Sequence, residues 1–225
     1  MAIKKSIYVL RLDEIQKQVN LKCLKPNGFK KKGRSHCRRT ADGLFQIITF
    51  QIGQSYCYNN NKFWVQIGIR VPEAFEKKFI LPPEKEVYHD YECNIRSDLF
   101  RFIGIKIGKT EAGYNYDAQF LRLDTDNIEA IVNQIISIIT NKVFPFFSEL
   151  ESRDMVLTNR NKYKDIEAFN NTINLETAMI YGLKGNTEKA NEFISKQYNS
   201  SKLAGHKEYV QQIASNLKLT ISKND

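Results

Sequence analysis

The sequence predicts an α+β fold: an antiparallel sheet of about five to six strands packed on helices, with a C-terminal helical extension. Three observations support this prediction. Apolar and polar residues alternate through the segment FWVQIGIRV at 63–71, as in a strand with one buried face. From Ile128 to Ile139 the apolar residues recur every three or four positions, as in an amphipathic helix. Short candidate strands follow one another closely along the chain, which favours antiparallel neighbours.

The N-terminal part of the chain begins with a helix and continues as a meander of strands. The helix is predicted over 7–24, because its apolar residues share one face: Leu12, Ile15, Val19 and Cys23. Pro26 and Gly28 end this helix. Strands are then predicted over these segments: 29–32, 35–40, 44–52, 63–71, 91–96 and 116–123.

Helical periodicity returns at Asp126, whose spacing to Glu129 resembles a capping box. The helix that follows is predicted to cover one face of the sheet. It is predicted to end or kink near Phe144, because Pro145 lacks an amide hydrogen. The polar segment 159–164 is the candidate linker. We therefore divide the chain into two parts: an α+β domain, 1–158, and a C-terminal extension of two to three helices, 159–225.

The composition is that of an ordinary globular chain, with 225 residues of which 42% are apolar and 26% charged. It excludes a disordered chain and collagen, and we expect no association with a membrane. The formal net charge is +9, and most of the excess lies before Glu149, which favours anionic partners. Because the start of the chain has no export signal, we expect a cytoplasmic location.

Neither the cysteines nor the histidines are spaced as metal ligands. No C-x-x-C pair occurs among the cysteines, so reduced structural thiols and no cofactor are expected for Cys23, Cys37, Cys57 and Cys93. His89 and Cys93 come closest to a metal pair, but on a strand they would lie about 13 Å apart. Residues 108–110 lack the glycine spacing of a phosphate-binding loop and are predicted to form a hairpin turn. We predict no catalytic residue and no metal site.

The strongest electrostatic feature is a basic segment at 22–39 that contains no acidic residue. Its basic residues are Lys22, Lys25, Lys30, Lys31, Lys32, Arg34, Arg38 and Arg39. On a strand, Lys30 and Lys32 share one face and Lys31 points to the other. Two interpretations are open: an edge hairpin that lysines keep from pairing with other chains, or a surface for anions and nucleic acids.

A second candidate surface is the sheet face opposite the long helix. If Val65, Ile67 and Ile69 face that helix, polar and aromatic side chains face the other way: Thr49, Gln51, Trp64, Gln66, Arg70, Asn94 and Arg96. Gly68 would leave space between them. Such a face suits recognition, because these side chains combine area with directional hydrogen-bond donors. The alternative is that N-terminal or C-terminal helices cover the face and the polar groups satisfy one another.

The order of LKPNGFKKKGR, Phe50-Gln51, FWVQIGI, YECNIR and FPFF resembles the bacterial family catalogued as domain of unknown function 4304, over roughly residues 10–155. The resemblance implies an α+β domain and supplies no activity. The chain departs from the family pattern at 97–99 and at 116–117.

These features favour an uncharacterised binding or interaction protein without catalytic machinery, and an unidentified protein is the favoured partner. The alternative is a protein that binds RNA or DNA through the basic segment. An enzyme whose active site carries no recognisable motif is the third possibility.

Overall fold

The computed structural model describes residues 6–52, 62–75, 85–104, 109–110, 113–114, 121–124, 127–166 and 172–223. The first helix, α1 (Ile7–Val19), begins where the Ser6 hydroxyl accepts a hydrogen bond from the backbone N–H of Val9. It continues as a π-helical turn, Asn20–Leu24, and Gly28 ends it with a left-handed φ of 82°. The predicted apolar face of this helix is buried, as expected.

The sheet confirms the predicted α+β fold. Its first five strands lie in chain order, and all paired strands are antiparallel. The strands are β1 (Lys30–Lys32), β2 (Ser35–Arg39), β3 (Phe45–Ile52), β4 (Lys62–Arg70), β5 (Ile95–Asp98), β6 (Lys109–Thr110), β7 (Gly113–Tyr114) and β8 (Leu121–Arg122). β8 adds to the start of β4, and β6 and β7 pair as a separate hairpin. Lys109 and Thr110, predicted as part of a hairpin turn, are a strand of this hairpin, and Gly108 lies outside the described residues.

The strand predicted over 91–96 is wrong in its first half. Asp90–Glu92 forms a 3₁₀ turn, and β5 begins only at Ile95. A hydrogen bond stabilises this turn: the Glu92 carboxylate accepts from the backbone N–H of His89 at 2.9 Å. Of the strand predicted over 116–123, the structure shows β8, while 115–120 lie outside the described residues.

The long helix begins and continues differently from the prediction. Asn127 is its N-cap, with its side chain accepting from the N–H of Ala130, and Asp126 lies outside the described residues. The helix α3 (Ile128–Ile138) passes through a π-helical turn, Ile139–Val143, into α4 (Phe144–Glu149). Pro145 therefore lies in the first turn of α4, where its missing N–H costs little, and helical structure continues past it.

This helical run packs on the sheet face that carries Phe63, Val65, Ile67 and Ile69, in one core with α1. By length and composition alone, 128–149 is apolar enough to cross a membrane. Its apolar stripe is buried against the sheet, which is the position of a core helix.

The described part of the C-terminal extension contains three α-helices, in line with the two to three that were predicted: α6 (Ile173–Leu183), α7 (Thr187–Ser200) and α8 (Ala204–Asn216). Two short helices were not predicted: α2 (Pro72–Phe75) and α5 (Arg153–Asn159). Leu175, Ile194 and Val210 belong to the same core as the sheet. In the segment proposed as a linker, Arg160–Tyr163 forms a 3₁₀ turn, and Arg160 is buried. The division into two parts at 158 stays a prediction.

Candidate binding pocket on the outer sheet face

Strand register decides which side chains lie on the sheet face opposite α1 and α3, which we call the outer face. Lys32 is paired with Ser35, Ser35 with Thr49, and Thr49 with Gln66, so all four share this face. By the same alternation, the outer face also carries Lys30, Cys37, Ile47, Gln51, Trp64, Gly68, Arg70, Arg96 and Asp98.

Part of the outer face is covered by the segment 85–93. Val87, Tyr88 and Cys93 pack there against Cys37, Phe45 and Ile47 in a small second core. In the described part of the chain the cover is therefore a connecting segment, rather than the N-terminal or C-terminal helices of the sequence-based alternative. Gly68 does not open space, because a Cβ there would lie 2.4 Å from the Cys93 Sγ.

Two residues predicted for the binding surface are buried beneath this cover. Arg70 donates to the backbone carbonyl of Glu92 at 2.8 Å, and its guanidinium lies 4.6 Å from the ring centroid of Tyr88. The Asn94 side chain accepts the backbone N–H of Val71 at 2.8 Å. Both side chains hold the cover and the strand end in place, and neither is accessible to a ligand in this structure.

Beyond the cover, the outer face opens into a pocket of about 410 Å³. We call it the outer-face pocket. It is lined by Arg34, Ser35, Thr49, Phe50, Gln51, Ile52, Trp64, His89, Asp90 and Tyr91. Of the predicted surface, Thr49, Gln51 and Trp64 therefore meet in one pocket.

A chain of hydrogen bonds fixes the wall of the pocket. The indole N–H of Trp64 donates to Gln51 Oε1 at 2.5 Å, and Gln51 Nε2 donates to Asp90 Oδ1 at 2.8 Å. The other carboxylate oxygen of Asp90 pairs with Arg96 at 3.3 Å. Because each group is held by the next, the indole ring of Trp64 has a defined orientation.

Next to this chain, Gln66 donates to Asp98 Oδ2 at 3.2 Å. Asp98 also accepts the backbone N–H of Phe100 and so caps the 3₁₀ turn Leu99–Ile103. Burial raises the pKa of the Asp98 carboxyl to about 6. Gln66 and Asp98 thus belong to the hydrogen-bonding of the outer face, although neither lines the pocket.

His89 also lines the pocket, and its Nδ1 lies 2.7 Å from the Ser35 hydroxyl, which lies 3.1 Å from that of Thr49. The ring of Tyr91 stacks on His89 with centroids 5.2 Å apart and an interplanar angle of 15°. A serine bonded to a histidine is also the arrangement of an activated nucleophile. Ser35 is only 1% exposed, so its hydroxyl is enclosed and serves to orient the imidazole.

The basic segment is divided by the hairpin into exposed and structural residues. Lys30, Lys31 and Lys32 are exposed on the edge strand β1. Arg34 lies 3.7 Å from Asp13 and lines the outer-face pocket. Arg39 is exposed, with its guanidinium 5.7 Å from the ring of Phe45.

Arg38 does not extend this basic surface. Its Nε and Nη2 both donate to Gln46 Oε1, at 2.9 and 2.6 Å, and its guanidinium lies 4.9 Å from the Phe29 ring. Gln46 in turn donates to the carbonyl of Phe147 at 2.9 Å, so Arg38 is tied to the helix-covered side of the sheet.

The described cysteines, Cys23, Cys37 and Cys93, are free and buried. Burial raises the pKa of all three thiols, which makes them unreactive at neutral pH. Among the described residues, no three His, Cys, Asp or Glu side chains gather where they could hold a metal ion. Cys57 lies outside those residues.

Six pocket residues were not among the predicted site residues: Ser35, Phe50, Ile52, His89, Asp90 and Tyr91. Ser35 was predictable in principle, because the short β2–β3 connection sets its register against Thr49. Phe50 and Ile52 were assigned to the strand at 44–52, but not to a site. His89, Asp90 and Tyr91 lie on an aperiodic segment whose position depends on long-range packing, and no local pattern indicates it.

Comparison with known proteins identifies a family through a family model. No curated protein and no solved structure matches the chain. A family model described as domain of unknown function matches residues 20–149, which include every described residue lining the outer-face pocket. Since this match spans more than half of the chain, the protein belongs to the DUF4304 family.

Proposed function

We propose that this protein is a binding protein that recognises its partner through the outer-face pocket and performs no chemistry of its own. One observation carries this proposal. Tyr91, which is 61% exposed, lines a pocket of about 410 Å³ together with Trp64, whose indole N–H is held by a hydrogen bond to Gln51. Large exposed aromatic residues beside an oriented polar network are typical of recognition sites.

The polar groups of the pocket favour binding over catalysis. Ser35, whose hydroxyl contacts His89, is enclosed, and the same hydroxyl is within hydrogen-bond distance of Thr49. Asp90, the carboxylate that lines the pocket, accepts from Gln51 and pairs with Arg96. These groups are arranged to hold one another, as expected of a preorganised binding surface.

Affinity capture with pocket variants tests the proposal. The wild-type chain, a Tyr91→Ser variant and a Leu203→Ser variant are immobilised and exposed to cell extract with and without nuclease. Leu203 is the matched control, because it is an exposed apolar residue on the C-terminal part of the chain. Circular dichroism checks that all three proteins are folded.

We expect the wild type and Leu203→Ser to retain the same partner, and Tyr91→Ser to lose most of it. Retention of one identical set by all three proteins would contradict a function of the outer-face pocket. The nuclease-treated arm separates a protein partner, which survives the treatment, from a nucleic acid.

A further inference from the structure

We infer that the ligand of the outer-face pocket is a single-stranded nucleic acid, with a base in the pocket and phosphates along β1. This inference rests on the proposed function and names its ligand. The basic segment and the polar sheet face are separate hypotheses in the sequence. In the fold they form one continuous surface.

The register of β1 and β2 joins the two features. Lys30 lies opposite Cys37 and Lys32 opposite Ser35, so both lysines lie on the outer face. Ser35 lines the pocket, which makes Lys32 its immediate cationic neighbour. Side chains two residues apart on one strand are about 6.7 Å apart, so the two lysines form a row leading to the pocket.

These cations are accessible to phosphate. Lys32 is exposed and makes no ion pair within the described ranges, while Lys30 pairs with Glu86 at 3.1 Å on the surface. An exposed pair of this kind contributes little, so a phosphate can replace the carboxylate. Arg34 adds a guanidinium at the pocket itself. Guanidinium groups match phosphate geometry with paired donors.

The aromatic groups supply a surface for stacking. His89 and Tyr91 are already parallel, at 5.2 Å between centroids, and Tyr91 is exposed. A base that lies on Tyr91 would extend this stack, as bases do on aromatic side chains of single-strand-binding proteins. Trp64 lines the same pocket.

The lysines beside the pocket favour a nucleotide over an apolar side chain of a protein. The surface of the pocket itself is mainly apolar and includes Trp64 and Tyr91, because Ser35, Thr49 and Asp90 are almost fully buried. An apolar side chain would leave the neighbouring lysines unused, whereas a nucleotide combines a flat ring that stacks with a phosphate that pairs with them. A base held in a pocket must be unstacked and unpaired, which favours a single strand over a duplex.

Fluorescence anisotropy tests this inference. Labelled single-stranded RNA and DNA of about eight nucleotides and a duplex of similar length are titrated with the full chain over a salt series. The variants are Tyr91→Ala, the Lys30→Ala/Lys32→Ala pair and a control pair, Lys142→Ala/Lys202→Ala. The control removes two exposed lysines that are remote in sequence from the pocket.

We expect single strands to bind more tightly than the duplex. Tyr91→Ala should weaken binding about 5- to 150-fold, which is the effect of losing one stacked base. The Lys30/Lys32 pair should lower the slope of log affinity against log salt by about 1.4, because each neutralised phosphate of a single strand contributes about 0.7. The control pair should change the slope much less.

Three results would overturn the inference. Binding that is unchanged in Tyr91→Ala would place the nucleic acid elsewhere on the chain. Equal slopes for the two lysine pairs would show that charge alone attracts the strand. If no strand binds at physiological salt but pocket-dependent capture persists after nuclease treatment, the ligand is a protein and the proposed function stands. If capture also fails, both proposals fail.

Discussion

His36 is a buried histidine on the helix-covered side of β2. It is fully enclosed, with its ring edge-on to Phe50 at 5.7 Å between centroids. Neither ring nitrogen has a hydrogen-bond partner of normal geometry among the described residues. Burial, together with nearby Lys31, lowers the pKa of His36 from 6.5 to about 4. The ring is therefore neutral in the folded protein at neutral pH.

This histidine makes the folded state sensitive to acid. Between pH 6.5 and about 4 the unfolded chain binds a proton at this histidine that the folded chain does not bind. The free energy of unfolding therefore falls by up to about 3 kcal/mol as the pH is lowered through this range. Asp98 acts in the opposite sense, because its raised pKa stabilises the fold at low pH and that contribution is lost as pH rises through about 6. Urea unfolding of wild type and His36→Leu at several pH values isolates the histidine. The same pH dependence in both proteins would contradict the assignment.

Gly68 shows why a predicted gap on the outer face is filled. An added Cβ would lie 2.4 Å from Sγ and 2.9 Å from Cβ of Cys93, which is buried. We expect Gly68→Ala to lower the free energy of unfolding by about 1–3 kcal/mol, as overpacking does. Gly205→Ala is the control, since a Cβ there meets nothing within 4 Å and should leave stability unchanged or slightly higher. Equal unfolding midpoints for the two variants would refute the close contact.

At the scale of elements, the β1–β2 hairpin separates one run of basic residues into two roles. Lys30 and Lys32 are exposed on the outer face, whereas Arg38 is bonded to Gln46 and packs on Phe29. Strand alternation produces this division from a segment that is uniformly basic in sequence. Charge counts over the segment therefore overstate the size of the surface that can meet an anion.

Because Arg38 is bonded within the fold, we expect Arg38→Ala to affect the stability of the protein rather than its binding of anions. We expect it to lower the free energy of unfolding by about 1–3 kcal/mol, because Gln46 loses both guanidinium donors in a buried setting. Its effect on the salt dependence of oligonucleotide binding should be small compared with that of the Lys30/Lys32 pair. Denaturant unfolding and anisotropy on the same samples measure the two effects. A large fall in the salt slope without loss of stability would show that Arg38 contacts the phosphates.

Periodicity predicted most elements and failed where packing decides. The alternation in β4 and the helical repeats of α1, α3 and α6 to α8 were sufficient to find those elements. Pro145 predicted that the long helix ends or kinks near Phe144, but helical structure continues through a π-helical turn into α4. The segment 85–93 has no period, yet it covers part of the outer face and supplies three pocket residues. The row formed by Lys30 and Lys32 was predictable from strand alternation. That it lies next to the pocket follows only from the pairing register of β1 and β2.

At the scale of the whole molecule, Arg160 joins the C-terminal helices to the sheet. Its guanidinium pairs with Glu176 of α6 and lies 3.5 Å from the carbonyl of Asn94, beside β5. Both charged residues are buried. Asn94 also holds Val71, so this contact reaches the strand end beneath the cover of the outer face.

Breaking this pair should destabilise the protein strongly. We expect Arg160→Met to cost about 3–5 kcal/mol, because the Glu176 carboxylate stays buried after its guanidinium partner is removed. The double variant Arg160→Met/Glu176→Leu should recover most of the loss, since an apolar pair needs no compensation. Thermal and urea unfolding measure both. An Arg160→Met variant as stable as the wild type would show that the ion pair with Glu176 does not stabilise the fold.

The most direct test of binding at the outer-face pocket uses Trp64, the one tryptophan of the chain. Its emission is recorded while a short single-stranded oligonucleotide is added, with anisotropy of the labelled strand followed in parallel. We expect the emission to change in proportion to binding, and Tyr91→Ala to shift both curves together to higher concentration. Saturable binding that leaves the emission of Trp64 unchanged would contradict binding at this pocket, because the strand would then occupy another surface.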